Sequence, residues 1–380
     1  MNLNRIGRSK RVMALGALAA AGALALSACG SDTNSGGGSK AGASSSSSSG
    51  SIACGSGKGQ LLGSGSTAQQ NAMDQWIKDY QAACSGTTIN YGGGGSSTGR
   101  TNFLDGKTTF AGSDAPLKAA EITQSKKVCS SGSAIDLPMV GGPIAIAYNL
   151  PGVDNLVLDA KTLAGIFSGS ITKWNAPEIA KLNPGAKLPS STIQAFHRSD
   201  GSGTTYNFSG YLNDAAGTGA WKFGQTSDWP TKTGQSAKGS DGLAAQVKQV
   251  QGSISYFELS YAKNSQLQTA KINTGASAPV AVSTDAAAKA ISTAKVVGQG
   301  SDLALHLDYA TKADGAYPIS LVTYEIVCDK GNKAATLPAL KSFLKYTASS
   351  AGQQSIAQLG YLSLPSAISD KVTAQIDKLG

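Results

Sequence analysis

A short apolar strand followed by a Gly/Ser-rich loop and then a helix recurs along the first part of this chain of 380 residues. The strand Gln60–Gly63 runs into the loop Gly63–Thr67, after which apolar side chains recur at helical spacing from Ala68 onward. The strand Thr88–Tyr91 runs in the same way into the loop Gly92–Ser97. This alternation predicts an α/β fold with a mostly parallel sheet, in which a ligand binds at the carboxyl ends of the strands.

Two long apolar segments interrupted by proline and glycine indicate that the chain crosses between two domains. They are Ile135–Tyr148 and Tyr317–Val327. Two crossings return the C-terminus to the domain in which the body of the protein begins. The sequence therefore predicts a two-domain clamp, in which each domain is a mixed, mostly parallel sheet flanked by helices. Domain I comprises 52–140 and 318–380, and domain II comprises 141–317.

The N-terminus has the features of a secretory leader. A basic segment, Met1–Arg11, precedes the apolar run Val12–Leu26. Because this run is shorter than the ~20 residues that span a bilayer, it predicts a signal peptide covering 1–28. The box Leu-Ser-Ala-Cys at 26–29 resembles the bacterial lipobox, in which cleavage before the cysteine leaves Cys29 to carry lipid. The alternative is a plain signal peptide that contains a cysteine by chance.

A Gly/Ser-rich segment connects this cysteine to the body of the protein. The segment 29–51 begins with this cysteine, and from residue 30 to residue 51 it contains no apolar side chain larger than alanine. Such a segment cannot bury surface, so we expect a flexible tether. The expected location is the bacterial cell membrane, with the protein anchored by lipid on the extracellular face.

The charge of the chain argues against nucleic acid as a partner. The formal net charge is +9, and it falls to +5 without residues 1–28. This excess is modest and is not gathered into a Lys/Arg cluster. It suits a mild attraction for small anions.

The cysteines indicate an oxidising compartment. Five are present, and if Cys29 carries lipid an even number remains, namely Cys54, Cys84, Cys129 and Cys328. Of the three possible pairings we favour Cys54–Cys84 with Cys129–Cys328. Because no C-x-x-C pair occurs, a metal or redox site has little support.

Four loops have a chemical character that suits an anion: Gly63–Thr67, Gly92–Ser97, Gly112–Asp114 and Arg198–Thr204. Each follows a strand and offers hydroxyls together with backbone N–H groups that glycine leaves exposed, mostly where a helix begins. Arg198 adds a fixed charge and a planar donor group. Asp114 fits beside an anion only if that anion keeps a proton for it to accept. Together the loops predict a site for a tetrahedral oxyanion.

Several other motifs are matched only in part. Each loop alone is compatible with ordinary turn and N-cap chemistry. The dinucleotide pattern Gly63-x-Gly65-x-x-Ala68 lacks the acidic residue that would contact a ribose. The pattern Gly95-x-Ser97-x-Gly99 fits a nucleophile elbow, but its triad would need His197 or His306. We therefore predict no catalytic residue and no metal ligand.

A set of longer motifs spread over 59–364 carries a resemblance to a known family. The set comprises Gly-Ser-Gly-Ser-Thr at 63–67, Tyr91–Ser97, Ala-Gly-Ser-Asp-Ala-Pro-Leu at 111–117, Tyr-Asn-Leu-Pro-Gly at 148–152, Ile179–Gly185 and Arg-Ser-Asp-Gly-Ser-Gly-Thr at 198–204. In combination they resemble the substrate-binding lipoprotein of bacterial high-affinity phosphate ABC importers. The resemblance implies a clamp like the periplasmic binding proteins of type II, with inorganic phosphate held between its two domains.

The resemblance also implies the ligand contacts and the partners. Carried over motif by motif, the phosphate contacts are Thr67, the N–H of Ala68, Ser96, Asp114, Arg198, Ser202, Gly203 and Thr204, with Asp200 orienting Arg198. The implied partners are the permease subunits and the ATPase of an ABC importer. No cofactor is implied, and we expect a monomer.

Two other functions fit the same loops. A secreted phosphatase or esterase would need a nucleophile together with metal ions or a general acid, and the sequence offers no such set. A receptor for sulfate or molybdate would bring a fully deprotonated anion beside Asp114, which repels it. The expected function is therefore an extracytoplasmic receptor that captures inorganic phosphate by hydrogen bonding and delivers it to a membrane ABC permease, without catalysis.

Overall fold

The computed structural model describes residues 52–56 and 58–380. The signal peptide predicted for 1–28, the predicted lipidation of Cys29 and the tether predicted for 29–51 lie outside the described residues. Within the described part of the chain, no helix is both long enough and apolar enough to span a bilayer.

Strands and helices alternate as the sequence predicts, and both crossing segments are strands. The strands are β1 (Gly59–Gly65), β2 (Thr87–Gly92), β3 (Phe110–Ser113), β4 (Ala134–Asn149), β5 (Val157–Asp159), β6 (Gln194–Arg198), β7 (Gln235–Ala237), β8 (Ser253–Glu258), β9 (Gln268–Thr269), β10 (Lys271–Asn273), β11 (Lys295–Val296), β12 (Leu305–His306) and β13 (Ser320–Cys328). The helices are α1 (Gln70–Ala83), α2 (Ser96–Leu104), α3 (Ala119–Ser125), α4 (Ala160–Ser168), α5 (Pro177–Leu182), α6 (Gly203–Tyr211), α7 (Gly239–Gln249), α8 (Leu259–Ser265), α9 (Thr284–Ile291), α10 (Leu337–Ala348), α11 (Ser350–Ala357) and α12 (Ser366–Lys378), and a π-helical turn, Leu212–Ala216, follows α6.

The main sheet has the strand order β2-β1-β3-β13-β4-β8-β6-β7. β1 is parallel to both β2 and β3, and β6 is parallel to β7 and β8. α1 buries Ala72, Met73, Trp76 and Tyr80, the stripe that its helical spacing predicts. Because parallel strands end at the same edge of a sheet, the loops after β1 and β3 lie side by side.

β4 and β13 connect the two ends of this sheet. Residues 134–143 of β4 pair with β13, and residues 144–149 pair with β8. Both pairings are antiparallel, so a mostly parallel arrangement at each end of the sheet meets an antiparallel centre. The two crossing strands predicted from the sequence are confirmed. The described residues form one compact unit, and the domain boundaries at 140/141 and 317/318 stay a prediction.

The C-terminal helices complete the first end of the sheet. α10 packs against α1 and β1, and α12 packs against α10 and β4. The structure joins Cys54 to Cys84 and Cys129 to Cys328, which are the favoured pairs. The second bridge ties the loop before β4 to the end of β13, so it secures the two crossing strands at one end.

From the sequence alone, Pro116 after β3 predicts the first position of a helix, and this prediction is wrong. Pro116 suits the first position of a helix, but α3 begins at Ala119. The start is set instead by a capping interaction, in which the N–H of Lys118 donates to Glu121 Oε2 at 2.8 Å.

Candidate functional site

The predicted site residues lie where strands end and the following helices begin. Thr67 follows β1, Asp114 follows β3, and Arg198 ends β6. Ser96 begins α2, and Ser202 is the N-cap of α6, where its Oγ accepts a backbone N–H of the first turn at 3.1 Å. The strand–loop–helix pattern therefore places these side chains between the carboxyl ends of strands and the helices that follow. Because β6 runs antiparallel to β1 and β3, the two groups of loops come from strands that point in opposite directions.

Loops from the two ends of the sheet meet at Ser96. Its Oγ accepts from the N–H of Gly203 at 3.1 Å and from the N–H of Asp114 at 3.1 Å. One residue further on, the N–H of Ser97 donates to the carbonyl oxygen of Gly201 at 3.1 Å. The structure thus brings Ser96, Asp114 and Gly203 into direct contact.

Thr67 and Ala68 follow β1 and have protein partners that the sequence did not indicate. Thr67 Oγ1 accepts from the N–H of Ser240 at 3.1 Å, and the two hydroxyl oxygens are 3.1 Å apart. The N–H of Ala68, expected to face the ligand, donates to Ser66 Oγ at 3.1 Å. Ser66 lies inside the Gly/Ser loop and Ser240 follows the glycine that opens α7. The local sequence shows that hydroxyls are there, but not what they bind.

Arg198 is buried, with 1% of its surface exposed, and it is paired with Asp200. Its Nε donates to Asp200 Oδ1 at 2.7 Å, and its Nη2 donates to Asp200 Oδ2. Burial raises the pKa of Asp200, but the hydrogen bond and the charge of Arg198 outweigh this, so the pKa lies below its ordinary value. The carboxylate fixes the guanidinium plane and leaves Nη1 for another partner.

Asp114 is buried and accepts several hydroxyl hydrogen bonds. Its Oδ1 accepts from Ser66 Oγ at 2.5 Å and from Thr323 Oγ1 at 2.8 Å, and Ser96 Oγ lies 3.5 Å from Oδ2. Burial raises the pKa of this carboxyl, while the three hydroxyls and the charge of Arg198 oppose the rise. The site therefore contains one acceptor among many donors.

Two buried donors at this place have no hydrogen-bond partner within residues 52–56 and 58–380. They are Arg198 Nη1 and Thr204 Oγ1. Buried donors are almost always paired, and a charged donor without a partner is costly. Thr204 also lies in the first turn of α6, whose positive end favours negative charge. The donor set therefore fits an anion with several oxygen acceptors.

Comparisons with known proteins assign the chain to a family. The model of the PBP superfamily domain matches residues 42–351. The chain is 44% identical over 367 residues to phosphate-binding protein PstS 2 of Mycobacterium tuberculosis, covering 95% of this chain and 97% of that one. It is 43% identical over 382 residues to phosphate-binding protein PstS3 of Mycobacterium bovis, covering 100% of both. The chain belongs to the PstS family.

A solved structure agrees with the expected fold. The phosphate binding protein of Stenotrophomonas maltophilia superposes on this chain with a TM-score of 0.64 at 20% identity, covering 83% of this chain and 93% of that one. An identity this low supports the fold alone. The PstS-family chain is thus a mixed α/β clamp like the periplasmic binding proteins, as the motifs imply.

The residues of a hydrolytic triad are not joined in this PstS-family chain. Among the hydrogen bonds of the described residues, none links Ser97 to His197 or to His306. His197 stacks on Trp229 with ring centroids 4.9 Å apart, and its Nδ1 lies 3.1 Å from the carbonyl oxygen of Arg198. Burial lowers the pKa of His197. No group of three or more His, Cys, Asp or Glu side chains in the described part of the chain is arranged to hold a metal ion.

Three further contacts come from residues that sequence reasoning missed. Asn207 Nδ2 donates to the carbonyl oxygen of Asp114 at 2.7 Å, and Tyr261 donates from its hydroxyl to the carbonyl oxygen of Thr67 at 2.6 Å. Thr323 donates to Asp114 from β13. None of these residues stands in a Gly/Ser loop, so no local pattern marks them.

Proposed function

We propose that this protein is an extracytoplasmic receptor that captures inorganic phosphate between its two domains and delivers it to a membrane ABC permease. The observation that supports this best is the pair of unpartnered buried donors, Arg198 Nη1 and Thr204 Oγ1, beside the buried acceptor Asp114. A tetrahedral oxyanion that keeps a proton supplies acceptors to the donors and one donor to Asp114. The PstS relatives are named as phosphate-binding proteins.

The proposed ligand contacts come from both ends of the sheet. Those from the first end are Thr67, Ala68, Ser96 and Asp114, and those from the second are Arg198, Ser202, Gly203 and Thr204, with Asp200 orienting Arg198. β4 and β13 join the two groups, so a hinge in these strands would let the groups separate and close. The proposed domains are 52–140 with 318–380, and 141–317.

The proposed receptor has no catalytic role. Its ligand is surrounded by hydroxyls, backbone amides, one arginine and the Asp114 carboxylate, which bind a protonated anion by hydrogen bonding without transferring a group. His197, one of the two histidines that a triad would need, stacks on Trp229. Its proposed partners are the permease subunits and ATPase of an ABC importer, which it meets as a monomer.

Calorimetric titration with phosphate, arsenate and sulfate tests the proposal. All three anions have similar shapes and can accept from the same donors. Phosphate and arsenate keep a proton near neutral pH, whereas sulfate would leave the Asp114 carboxylate against negative oxygen. We expect phosphate to bind at least about a thousandfold more tightly than sulfate. The affinity of arsenate should differ little from that of phosphate. Comparable sulfate and phosphate affinities, or no phosphate binding, would overturn the proposal.

The lipid anchor makes a separate prediction about location. Because the tether separates Cys29 from the binding site, Cys29→Ala should release the protein into the medium with its phosphate affinity unchanged. Fractionation of cells and medium measures the release. Mass spectrometry of the mature N-terminus provides the control, since a mature chain that begins at an unmodified residue other than Cys29 would contradict the anchor.

A further inference from the structure

The carboxyl group of Asp114 has two oxygens in different surroundings. Oδ1 accepts two hydroxyl hydrogen bonds, from Ser66 at 2.5 Å and from Thr323 at 2.8 Å. Among the described residues, the only hydrogen-bond partner of Oδ2 is Ser96 Oγ, at 3.5 Å, a distance that makes a poor hydrogen bond. The hydroxyl of Ser96 also accepts two backbone N–H groups, from Asp114 and from Gly203. One oxygen is therefore anchored and the other is available.

Thr323 reaches Asp114 because of the register of the crossing strand. Tyr324 of β13 pairs with Ser113, the last residue of β3, so the preceding residue of β13 lies beside Asp114. On the other side of β13, Thr323 pairs with Val140 and Tyr324 pairs with Pro138. β4 thus has one extra residue at this point, a bulge of the kind that redirects a neighbouring side chain.

We propose that Ser66 and Thr323 are specificity-determining positioning residues, which hold Asp114 Oδ1 so that Oδ2 faces the ligand as a charged acceptor. The inference rests on the proposed function, because it explains how that site distinguishes a protonated oxyanion from one without a proton. Two donors on one oxygen fix the rotation of the carboxyl group. They also favour the ionised form, which can only accept.

Without the hydroxyls of Ser66 and Thr323, Asp114 would distinguish less well between an oxyanion that has a proton and one that has none. A buried carboxyl with fewer donors takes up a proton more readily and then donates, which suits an oxyanion that has no proton of its own. Burial already raises the pKa of Asp114, so removing a donor raises it further. Phosphate binding that requires the carboxylate is lost as pH falls through this pKa, so a variant should lose it at a higher pH than the wild type.

Among the described residues, the charged or titratable groups that interact electrostatically with Asp114 include Arg198, Tyr91 and Glu325. Arg198 on β6 acts on it from the second end of the sheet. Tyr91 on β2 and Glu325 on β13 are buried groups whose pKa values are raised by burial and, to a lesser degree, by the charge of Asp114. Glu325 is the confounding group, because it lies on the same strand as Thr323 and a change in its ionisation would also alter the pH dependence of phosphate binding.

The test compares Thr323→Val, which keeps the shape and removes the hydroxyl, with Thr323→Ser, which keeps the hydroxyl. Ser66→Ala provides a second variant if Thr323→Val is unstable. Calorimetry on the full mature chain in detergent gives the Kd values for phosphate and sulfate between pH 5.5 and pH 8. We expect Thr323→Val and Ser66→Ala each to weaken phosphate binding by about tenfold or more, to narrow the phosphate-to-sulfate ratio, and to move the loss of phosphate binding to higher pH.

Three outcomes are distinguishable. If phosphate and sulfate binding are weakened equally and the pH dependence of phosphate binding is unchanged, the hydroxyls only support the fold. This result would overturn the inference. The variants can also be compared with their parent in a Glu325→Gln background. If the shift in the pH dependence of phosphate binding disappears there, Glu325 is the group that titrates, and the inference is overturned. If the wild type binds no phosphate at all, the proposed function itself fails, and this inference fails with it. Thr323→Ser should behave as the wild type.

Discussion

Arg198→Ala is expected to weaken phosphate binding by about a thousandfold. The guanidinium is buried, its Nε and Nη2 donate to Asp200, and its Nη1 is an unpartnered donor of the site. Removing it deletes the only fixed positive charge among the proposed contacts. It also leaves Asp200 beside the ligand without its counter-ion, so that attraction becomes repulsion. Truncating one member of a buried, hydrogen-bonded charge pair costs about 2–5 kcal/mol, which corresponds to about 30-fold to several thousandfold in affinity.

The matched control for Arg198→Ala is Lys238→Ala. Lys238 is an exposed cation that directly precedes Gly239, whose N–H donates to Asp200 Oδ1 at 3.1 Å. It has the same formal charge and lies near the site, but among the described residues its side chain forms no hydrogen bond or ion pair with a proposed ligand residue. Calorimetry should show a change of less than about threefold for Lys238→Ala, since an exposed charge acts weakly through water. If the two variants weaken binding equally, general attraction rather than the oriented guanidinium binds the anion.

The fold was largely predictable because its signals are local. α7 occupies 239–249 as the glycine start and apolar spacing indicate. The long apolar segment that forms β4 indicates a strand, although it is interrupted by Pro138 and three further Gly or Pro residues. Proline and glycine inside a strand often mark a bulge or a bend. This strand pairs with β13 in its first part and with β8 in its second.

The candidate site residues in the Gly/Ser loops can be predicted from the sequence, but the distant residues that contact them cannot. The Gly/Ser loops carry their donors in consecutive residues, so Thr67, Ser96 and Thr204 can be read from the sequence. The hydroxyl of Thr323 meets Asp114 across 209 residues of chain. Whether it does so depends on the register of β13 against β3 and on one extra residue in β4, which no local pattern reports.

Buried carboxyl groups were also beyond sequence reasoning. Glu325 is fully buried, and burial raises its pKa well above the ordinary value. Glu258 is fully buried at the end of β8, and burial raises its pKa to about 8. An acidic residue in a strand normally predicts exposure. These two face the interior because their strands are covered on both sides, which only the packed structure reveals.

Gly203→Val should abolish tight phosphate binding while leaving the protein folded. A Cβ atom at Gly203 would lie 2.5 Å from Ser96 Oγ, 2.6 Å from Asp114 Cβ and 2.8 Å from Asp114 Cα. The last contact is with backbone, so a rotamer change cannot relieve it. Separating the two groups of loops does relieve it, and the variant should therefore rest in a more open form. That form loses the bond from the Gly203 N–H to Ser96 and cannot close both groups of contacts around one anion.

We expect the phosphate affinity of Gly203→Val to fall by at least about a hundredfold, since overpacking of this kind costs about 1–3 kcal/mol and the lost amide contact adds to it. Because the clash lies between the loops and not within the core, the melting temperature without ligand should change little, while the rise that phosphate produces in the wild type should disappear. Gly92→Ala is the matched control, because a Cβ atom at Gly92 meets no atom within 4 Å. It should bind as the wild type does. Retained affinity in Gly203→Val would mean that α6 does not approach Ser96 and Asp114 in the phosphate complex, whereas equal losses in both variants would show that glycine is needed for flexibility and not for close approach.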